Sequence, residues 1–590
     1  MQFLRTLLAT VVGIGVFFFF AFLLLLGIAS SAGGDKTVKV EENSILRVSL
    51  SEPVVEWVDQ TSPFDGLPFP GFSDNTPIGL IELRDALQQA KVDPKIKGIL
   101  LEPSSLSTGL AIQQEIREAL LDFKTSGKFI VANSIYYSEN AYLMASVADE
   151  IYLHPQGTLE FDGYSLEFVS VKGMLDKIGV KAEVFKAGSF KSAVEPFIQN
   201  KMSPENRLQN QVMIDSLYQF YLSRVGSSRN IDAKILKEIS DEAAILLPAD
   251  AIKTKLITDT LYIDQIEEKL REKIGIEPKA KINYISLKRY TKAERAEPLK
   301  FSSNKIAVLV AEGEITRASS MGETGTITAE KLVKDIRKVK EDKSVKAVVL
   351  RINSPGGDGV ISDMIWRELL ELKKEKPLYA SMSDYAASGG YYLAMACDTI
   401  VAQPSTLTGS IGVFILFFNP KELLTNKIGL NFEKISTGQY SDYPSAGADL
   451  TEAERKMIQV RVDQVYGDFV RKAAQGRNMT VEELNKIAEG RVWTGMDAHR
   501  LGLVDQLGSY QDAISLAAQR AGIEDDYQVT VYPRKKDIFA ALFDQSANTA
   551  AESMMRYRFG DLYPLVQEIK SLNRLQGGPQ ALLPFLPVIK

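Results

Sequence analysis

Apolar positions recur in two rhythms along most of this chain. Short runs such as Ile306-Ala307-Val308-Leu309-Val310 and Ala347-Val348-Val349-Leu350 are apolar throughout, as strands buried on both faces are. Between such runs lie amphipathic stretches at helical spacing. From Ile361 to Lys374, Ile361, Met364, Ile365, Leu369 and Leu372 place apolar side chains at that spacing. Alternation of the two rhythms predicts an α/β fold. The amino-terminal stretch departs from this pattern. No charge falls between Arg5 and Asp35, and the 22 residues from Leu7 to Ile28 form an apolar run. As a helix, that run crosses a ~30 Å hydrocarbon core, and we assign 3–28 as a transmembrane anchor. A cleaved leader is the alternative, because Ala29-Ser30-Ser31-Ala32 supplies small residues, yet leader cores run only ~7–15 residues. Arg5 on the short side directs the bulk of the chain across the membrane.

The pattern also repeats. Shifted by 249 positions, the first half falls on the second without a gap from Asp93 to Pro155. Gly98-Ile99-Leu100-Leu101 meets Ala347-Val348-Val349-Leu350, and Ile112, Ile116, Leu120 and Leu121 meet Ile361, Ile365, Leu369 and Leu370. Tyr142, Ala145, Asp149, Ile151 and Pro155 meet Tyr391, Ala394, Asp398, Ile400 and Pro404. Two similar domains are expected, over 44–288 and 305–530, with a polar linker at 289–304 and a tail at 531–590. The tail carries Pro579, Pro584 and Pro587 and suggests no chemistry; 63–77, without a counterpart of like composition, reads as an exposed loop.

Composition narrows the function. A chain of 590 residues exceeds the ~250–300 at which a single core stops growing. The formal charge of −6 gives no reason to expect nucleic acid. One cysteine, Cys397, excludes an intramolecular disulfide framework, and the two histidines, His154 and His499, leave little material for zinc binding or for a Ser–His–Asp triad. No cofactor or metal is expected.

Candidate chemistry lies where the two copies diverge. In the second copy the strand runs into Arg351-Ile352-Asn353-Ser354-Pro355-Gly356-Gly357-Asp358; the first copy has Glu102-Pro103-Ser104-Ser105-Leu106-Ser107-Thr108-Gly109, without the glycine pair. Adjacent glycines after a strand let backbone N–H groups face a ligand, although Pro-Gly-Gly is more often a plain turn. Ala386-Ala387-Ser388-Gly389-Gly390-Tyr391 sits between an apolar strand at 377–381 and an apolar helix at 391–396. That junction suits an exposed nucleophile, and equally a simple N-cap serine. The first copy has Glu139 there. Conversely, with one gap admitted, Lys191, in Gly188-Ser189-Phe190-Lys191-Ser192-Ala193, meets Ser441 in the second copy. One half thus has the serine and the other the lysine, as if one site were split between them. A lysine base must be neutral, which requires burial, and Phe185, Phe190 and Phe197 offer an apolar setting.

Taken in order, these motifs resemble the long, two-domain form of the signal peptide peptidase A (protease IV) family. The residues that carry the resemblance are Lys191–Phe197, Asn353–Gly357, Ala387–Tyr391, Pro404–Gly412, Gly490–Gly495 and Gly502–Asp505, together with the anchor. The resemblance implies two tandem crotonase/Clp-protease-like domains of repeated ββα units. It implies Ser388 as nucleophile, Lys191 as general base, Ser410 as the hydroxyl that orients the lysine, and Gly389, Gly356 and Gly357 as oxyanion donors. It further implies a homotetramer on the bacterial inner membrane, single-pass, with its catalytic domains on the periplasmic side, degrading cleaved signal peptides and other apolar peptides. Phe417-Phe418 is a candidate wall of a substrate subsite. The rival readings are a catalytically unused scaffold of the same fold and a crotonase-type acyl-CoA enzyme.

Overall fold

The fully apolar runs become the central strands of two sheets. A computed structural model describes residues 38–58, 77–103, 108–298, 301–317, 325–534 and 578–583, with scattered positions between 5 and 20. The first sheet is parallel and runs Asp259–Thr260, Glu150–Leu159, Phe129–Tyr137, Ile96–Glu102, Ser44–Ser49, Asn283–Ser286. In the second sheet Gln506–Leu507, Thr399–Ala402, Leu378–Ala387, Val345–Ser354, Lys305–Glu312 and Gln528–Tyr532 follow the same order, again in parallel. Helices repeat as well: Leu80–Val92 and Leu110–Lys124 match Ala329–Glu341 and Gly359–Lys373, each pair displaced by the 249 positions of the sequence repeat. Parallel strands need crossover helices, and those helices cover the sheet faces, which is why the strands are apolar on both sides.

The third sheet breaks the repeat. Its order is Thr326–Thr328, Glu314–Thr316, Gly356–Asp358, Gln580–Leu582, Val413–Asn419, Lys181–Ala187. Lys181–Ala187 belongs to the first half and pairs antiparallel with Val413–Asn419 of the second, from Ala187 opposite Val413 to Lys181 opposite Asn419. Gln580–Leu582 comes from the tail, to which composition had assigned no role.

Charged groups also join the halves. Arg351, fully buried on Val345–Ser354, bonds Glu56 at 2.7 Å and Glu115 at 2.8 Å, and Glu115 also receives Arg84 at 3.0 Å. Asp384 accepts N–H bonds from Gly109, Ala111 and Ile112, capping the helix Leu110–Lys124 of the other half. The stretch 289–304 is not a free tether: Arg295 forks onto Asp85, and Ala293 pairs with Val38. Among the described residues no helix is long and apolar enough to cross a membrane. Most of the predicted anchor, like most of 63–77, lies outside the described residues.

Candidate active site

Ser388 stands between the strand Leu378–Ala387 and the helix Gly389–Ala394. Its backbone has φ 55° and ψ −111°, a conformation costing on the order of 1–3 kcal/mol for a residue with a side chain. Two bonds hold it there: Ser388 N–H donates to Gly409 O at 2.8 Å, and Tyr392 N–H donates to Ser388 O at 2.9 Å. The hydroxyl makes no cap bond to its own helix. It faces Lys191, whose Nζ lies 2.8 Å from Ser388 Oγ, within the same chain. The plain N-cap reading of this serine therefore fails.

Lys191 follows the cross-paired strand Lys181–Ala187 by four residues, so the antiparallel pairing carries it from the first half to the serine of the second. Its Nζ also lies 3.0 Å from Ser410 Oγ and 3.2 Å from Ser410 O. Lys191, Ser388 and Ser410 are all fully buried. Burial alone pushes the ammonium well below its ordinary value, and no carboxylate opposes it. A neutral amine has two N–H donors and one lone pair. Two N–H bonds to the oxygens of Ser410 leave the lone pair for the proton of Ser388.

Several residues that sequence reasoning passed over brace this lysine. Gly490, at φ 77°, packs so closely that a Cβ would come 2.7 Å from Lys191 N and Cβ. Phe190 N–H donates to Glu489 O. Gln209 Nε2 donates to Ser192 Oγ at 2.7 Å and Phe190 O at 3.2 Å, while its Oε1 accepts from Val492 N–H. Glu195, fully buried, accepts from Ser203 and Asn206. Ser192, Glu195, Gly490 and Val492 fall within two of the ordered motifs, Lys191–Phe197 and Gly490–Gly495, whereas Ser203, Asn206, Gln209 and Glu489 fall in none.

The expected glycines divide their work. Gly356 N–H is occupied by Ser354 Oγ at 3.2 Å, so the pair does not offer two free donors. Gly357 stands opposite Ala581 of the tail strand. Gly389 opens its helix, where an N–H has no carbonyl partner within the helix. In the first copy Glu139 holds the position of Ser388; burial pushes its carboxyl up to about 7, and it accepts from Gly163 N–H. Ser441, in the place of Lys191, lies in an exposed turn. His154 accepts from Gln156 N–H, and His499 lies against Val504 O; neither of these bonds involves Lys191 or Ser388. Phe418 packs edge-on against Phe197 at 5.5 Å beside the paired strands. A cavity of about 640 Å³ opens at the far end of that pair, lined by Lys181, Asn419 and Lys421 among others, and contains no dyad residue.

The pattern of peptidase family S49 matches residues 122–277 and 371–524, together more than half of the chain. The chain belongs to peptidase family S49. It is thus a serine endopeptidase of the kind that works through a Ser–Lys dyad. Protease 4 of Haemophilus influenzae is 33% identical over 97% of this chain and 95% of its own length. The chloroplastic serine protease SPPA of Arabidopsis thaliana is 35% identical over 78% of this chain and 68% of its own. Protease 4 of Salmonella typhi is 33% identical over 87% and 84%. Among solved structures, ClpP1 from Listeria monocytogenes aligns over 35% of this chain and 92% of its own at 15% identity, with a TM-score of 0.23, too loose a likeness to support an argument.

Proposed function

We propose that Ser388 is the nucleophile of this S49 peptidase and Lys191 its general base, with Ser410 holding the lysine. The observation that carries the reading is the 2.8 Å approach of a buried lysine, with no carboxylate partner, to a serine hydroxyl. Lys191 takes the proton of Ser388, and the oxygen attacks a peptide carbonyl. The N–H groups of Gly389 and Gly357 stabilise the oxyanion. Lys191 then protonates the leaving amine, and water hydrolyses the acyl-enzyme.

The substrates are apolar peptides, cleaved signal peptides foremost. A relative from Enterococcus faecium, 35% identical over 42% of this chain and 73% of its own, is described as a putative signal peptide peptidase. The apolar strand Val413–Asn419, with Phe414, Phe417 and Phe418, suits such partners. The enzyme works as a homotetramer anchored by 3–28 in the bacterial inner membrane, its tandem crotonase/Clp-like domains on the periplasmic side. Hydrolysis of a fluorogenic apolar peptide by wild type, Ser388→Ala and Lys191→Ala tests the dyad. Both variants are expected to fold and to lose kcat by on the order of 10⁴-fold or more. A Lys191→Ala enzyme retaining wild-type kcat would remove the lysine from the mechanism.

A further inference from the structure

The helix Pro204–Arg229 belongs to the first half, yet it reaches the strand Val492–Thr494 of the second, where Ser216 Oγ lies 3.3 Å from Thr494 Oγ1. Its first turn is locked to the segment that carries Lys191. Ser203 Oγ donates to Glu195 Oε1 at 2.6 Å, Asn206 Nδ2 donates to Glu195 Oε2 at 2.8 Å, and Glu195 N–H donates to Ser192 O at 3.0 Å. Gln209, on the same helix, is 2% exposed, and every polar atom of its carboxamide is engaged. Three acceptors surround the two hydrogens of Nε2: Ser192 Oγ at 2.7 Å, Phe190 O at 3.2 Å and Asn206 Oδ1 at 3.2 Å. Oε1 accepts from Val492 N–H at 3.3 Å. The amide has one workable orientation, because a flipped one would set Oε1 against the lone pairs of Phe190 O.

Two of these partners, Phe190 and Ser192, flank Lys191 in the chain. Val492 belongs to the stretch that holds Ser410. Ser410 N–H donates to Arg491 O at 2.7 Å, Gly490 N–H donates to Ile411 O at 2.7 Å, and Val492 stands opposite Gly409. One side chain therefore ties both neighbours of the lysine to the segment that carries the lysine's second partner. Another tie lies outside the same junction. Ser189 N–H and Oγ donate to Glu489 Oε2 at 3.2 Å and 2.5 Å, and Phe190 N–H donates to Glu489 O at 2.9 Å. The Glu489 side chain is exposed, so water competes for its bonds. The groups that meet Gln209 are sheltered and have no such substitute, so the inner tie weighs more.

We propose that Gln209 is a positioning residue for the proton transfer: through Phe190, Ser192 and Val492 it sets Lys191 Nζ against Ser388 and Ser410 and keeps water from the lysine. This role rests on the dyad reading above. Gln209 bonds neither Lys191 Nζ nor Ser388 and acts only through the residues around them. Without its carboxamide, Ser192 Oγ, Phe190 O and Val492 N–H lose a buried partner, and water takes that place. Hydration favours the ammonium over the amine. Loss of the tie thus has two consequences at once: the amine is misplaced, and it holds its proton to higher pH.

Gln209→Met keeps the length of the side chain and removes all of these bonds. In hydrolysis of a fluorogenic apolar peptide, its kcat is expected to fall about tenfold to a hundredfold, as a misplacement of about 1 Å or less would produce, with KM near that of wild type. The acid limb of its kcat/KM profile is expected to move up by about one pH unit, part of the several units that burial can take from a lysine. Ser192→Ala should lose less, and the double variant no more than Gln209→Met alone, because both substitutions break one contact. A loss of kcat with an unmoved acid limb, or losses that add, overturns the proposal. Hydrogen exchange followed by mass spectrometry reads the tie without chemistry. In Gln209→Met, peptides covering 189–192 and 490–493 are expected to exchange about tenfold faster or more, with the rest of the chain unchanged. Unchanged exchange there, or faster exchange throughout the chain, overturns the tie. A Lys191→Ala enzyme that retains wild-type kcat defeats the dyad reading instead, while the exchange comparison still decides whether Gln209 holds the two segments together.

Discussion

Around Lys191 Nζ three oxygens converge, Ser388 Oγ and the two of Ser410, and none carries a formal charge. Without a counter-ion, burial alone shifts the balance toward the neutral amine. Activity is therefore expected to rise with pH as Lys191 loses its proton, through a value well below the ~10.4 of a free lysine. Stability carries the same signature. The unfolded chain keeps this proton up to ~10.4 while the folded chain has already released it, so in that window the unfolded state binds more protons and stability rises with pH. Below the folded value both states are protonated and the full cost of burying the charge is present. Relative to Lys191→Met, wild type should gain unfolding free energy as pH climbs through that window. Denaturant titrations at several pH values measure this, and a pH-independent difference would contradict the burial argument.

Elements, rather than single contacts, bring Lys191 and Ser388 together. The pairing of Lys181–Ala187 with Val413–Asn419 sets where Lys191 emerges. The ionic cluster around Arg351 fixes the strand Val345–Ser354 against the first half's helix Leu110–Lys124. There two guanidiniums, Arg351 and Arg84, face Glu56 and Glu115. Burial, and then Glu56, raise the neighbouring Glu312, which favours its protonated form and keeps the cluster near neutrality. Arg351→Met would leave Glu56 without its cation and Glu115 with Arg84 alone. Removing one partner of a buried pair costs roughly 3–5 kcal/mol, and the urea midpoint should fall accordingly. A second effect should follow at the active site, because Val345–Ser354 leads directly into Gly356–Asp358. A misplacement of about 1 Å at the glycine loop can cost on the order of 10²-fold in rate. An Arg351→Met enzyme as stable and as active as wild type would mean that the cluster does not set the register of the halves.

In the whole molecule, two copies of one architecture share the proposed centre. The first supplies the lysine and has Glu139 where the second has its serine; the second supplies the serine and has Ser441 where the first has its lysine. Lys191 and Ser388 meet within one chain. Ser388→Ala and Lys191→Ala enzymes mixed and reassembled should therefore stay inactive, because each chain lacks one member of its own dyad. Recovery of peptide hydrolysis in the mixture, followed by fluorescence, would place the dyad between subunits.

Much of this was legible in the chain itself. Apolar runs and helical spacing determined the α/β class and the central strands, because burial on both faces leaves a local mark on composition. The 249-residue repeat determined that two such units exist, and the divergence of the copies singled out Ser388, the glycines and Lys191. Other features leave no local mark. Gly490 is a glycine because the backbone of Lys191 packs against it, and Asp384 is acidic because it caps a helix of the other half. The tail strand, three residues with Pro579 before it and Pro584 soon after, shows no periodicity of its own; its conformation comes from the two strands it lies between. The sequence by itself determined which groups are present and which half carries each. Only the tertiary structure decided that they meet, since pairing across the halves depends on backbone hydrogen bonds between strands far apart in sequence, and any residue but proline can make those bonds.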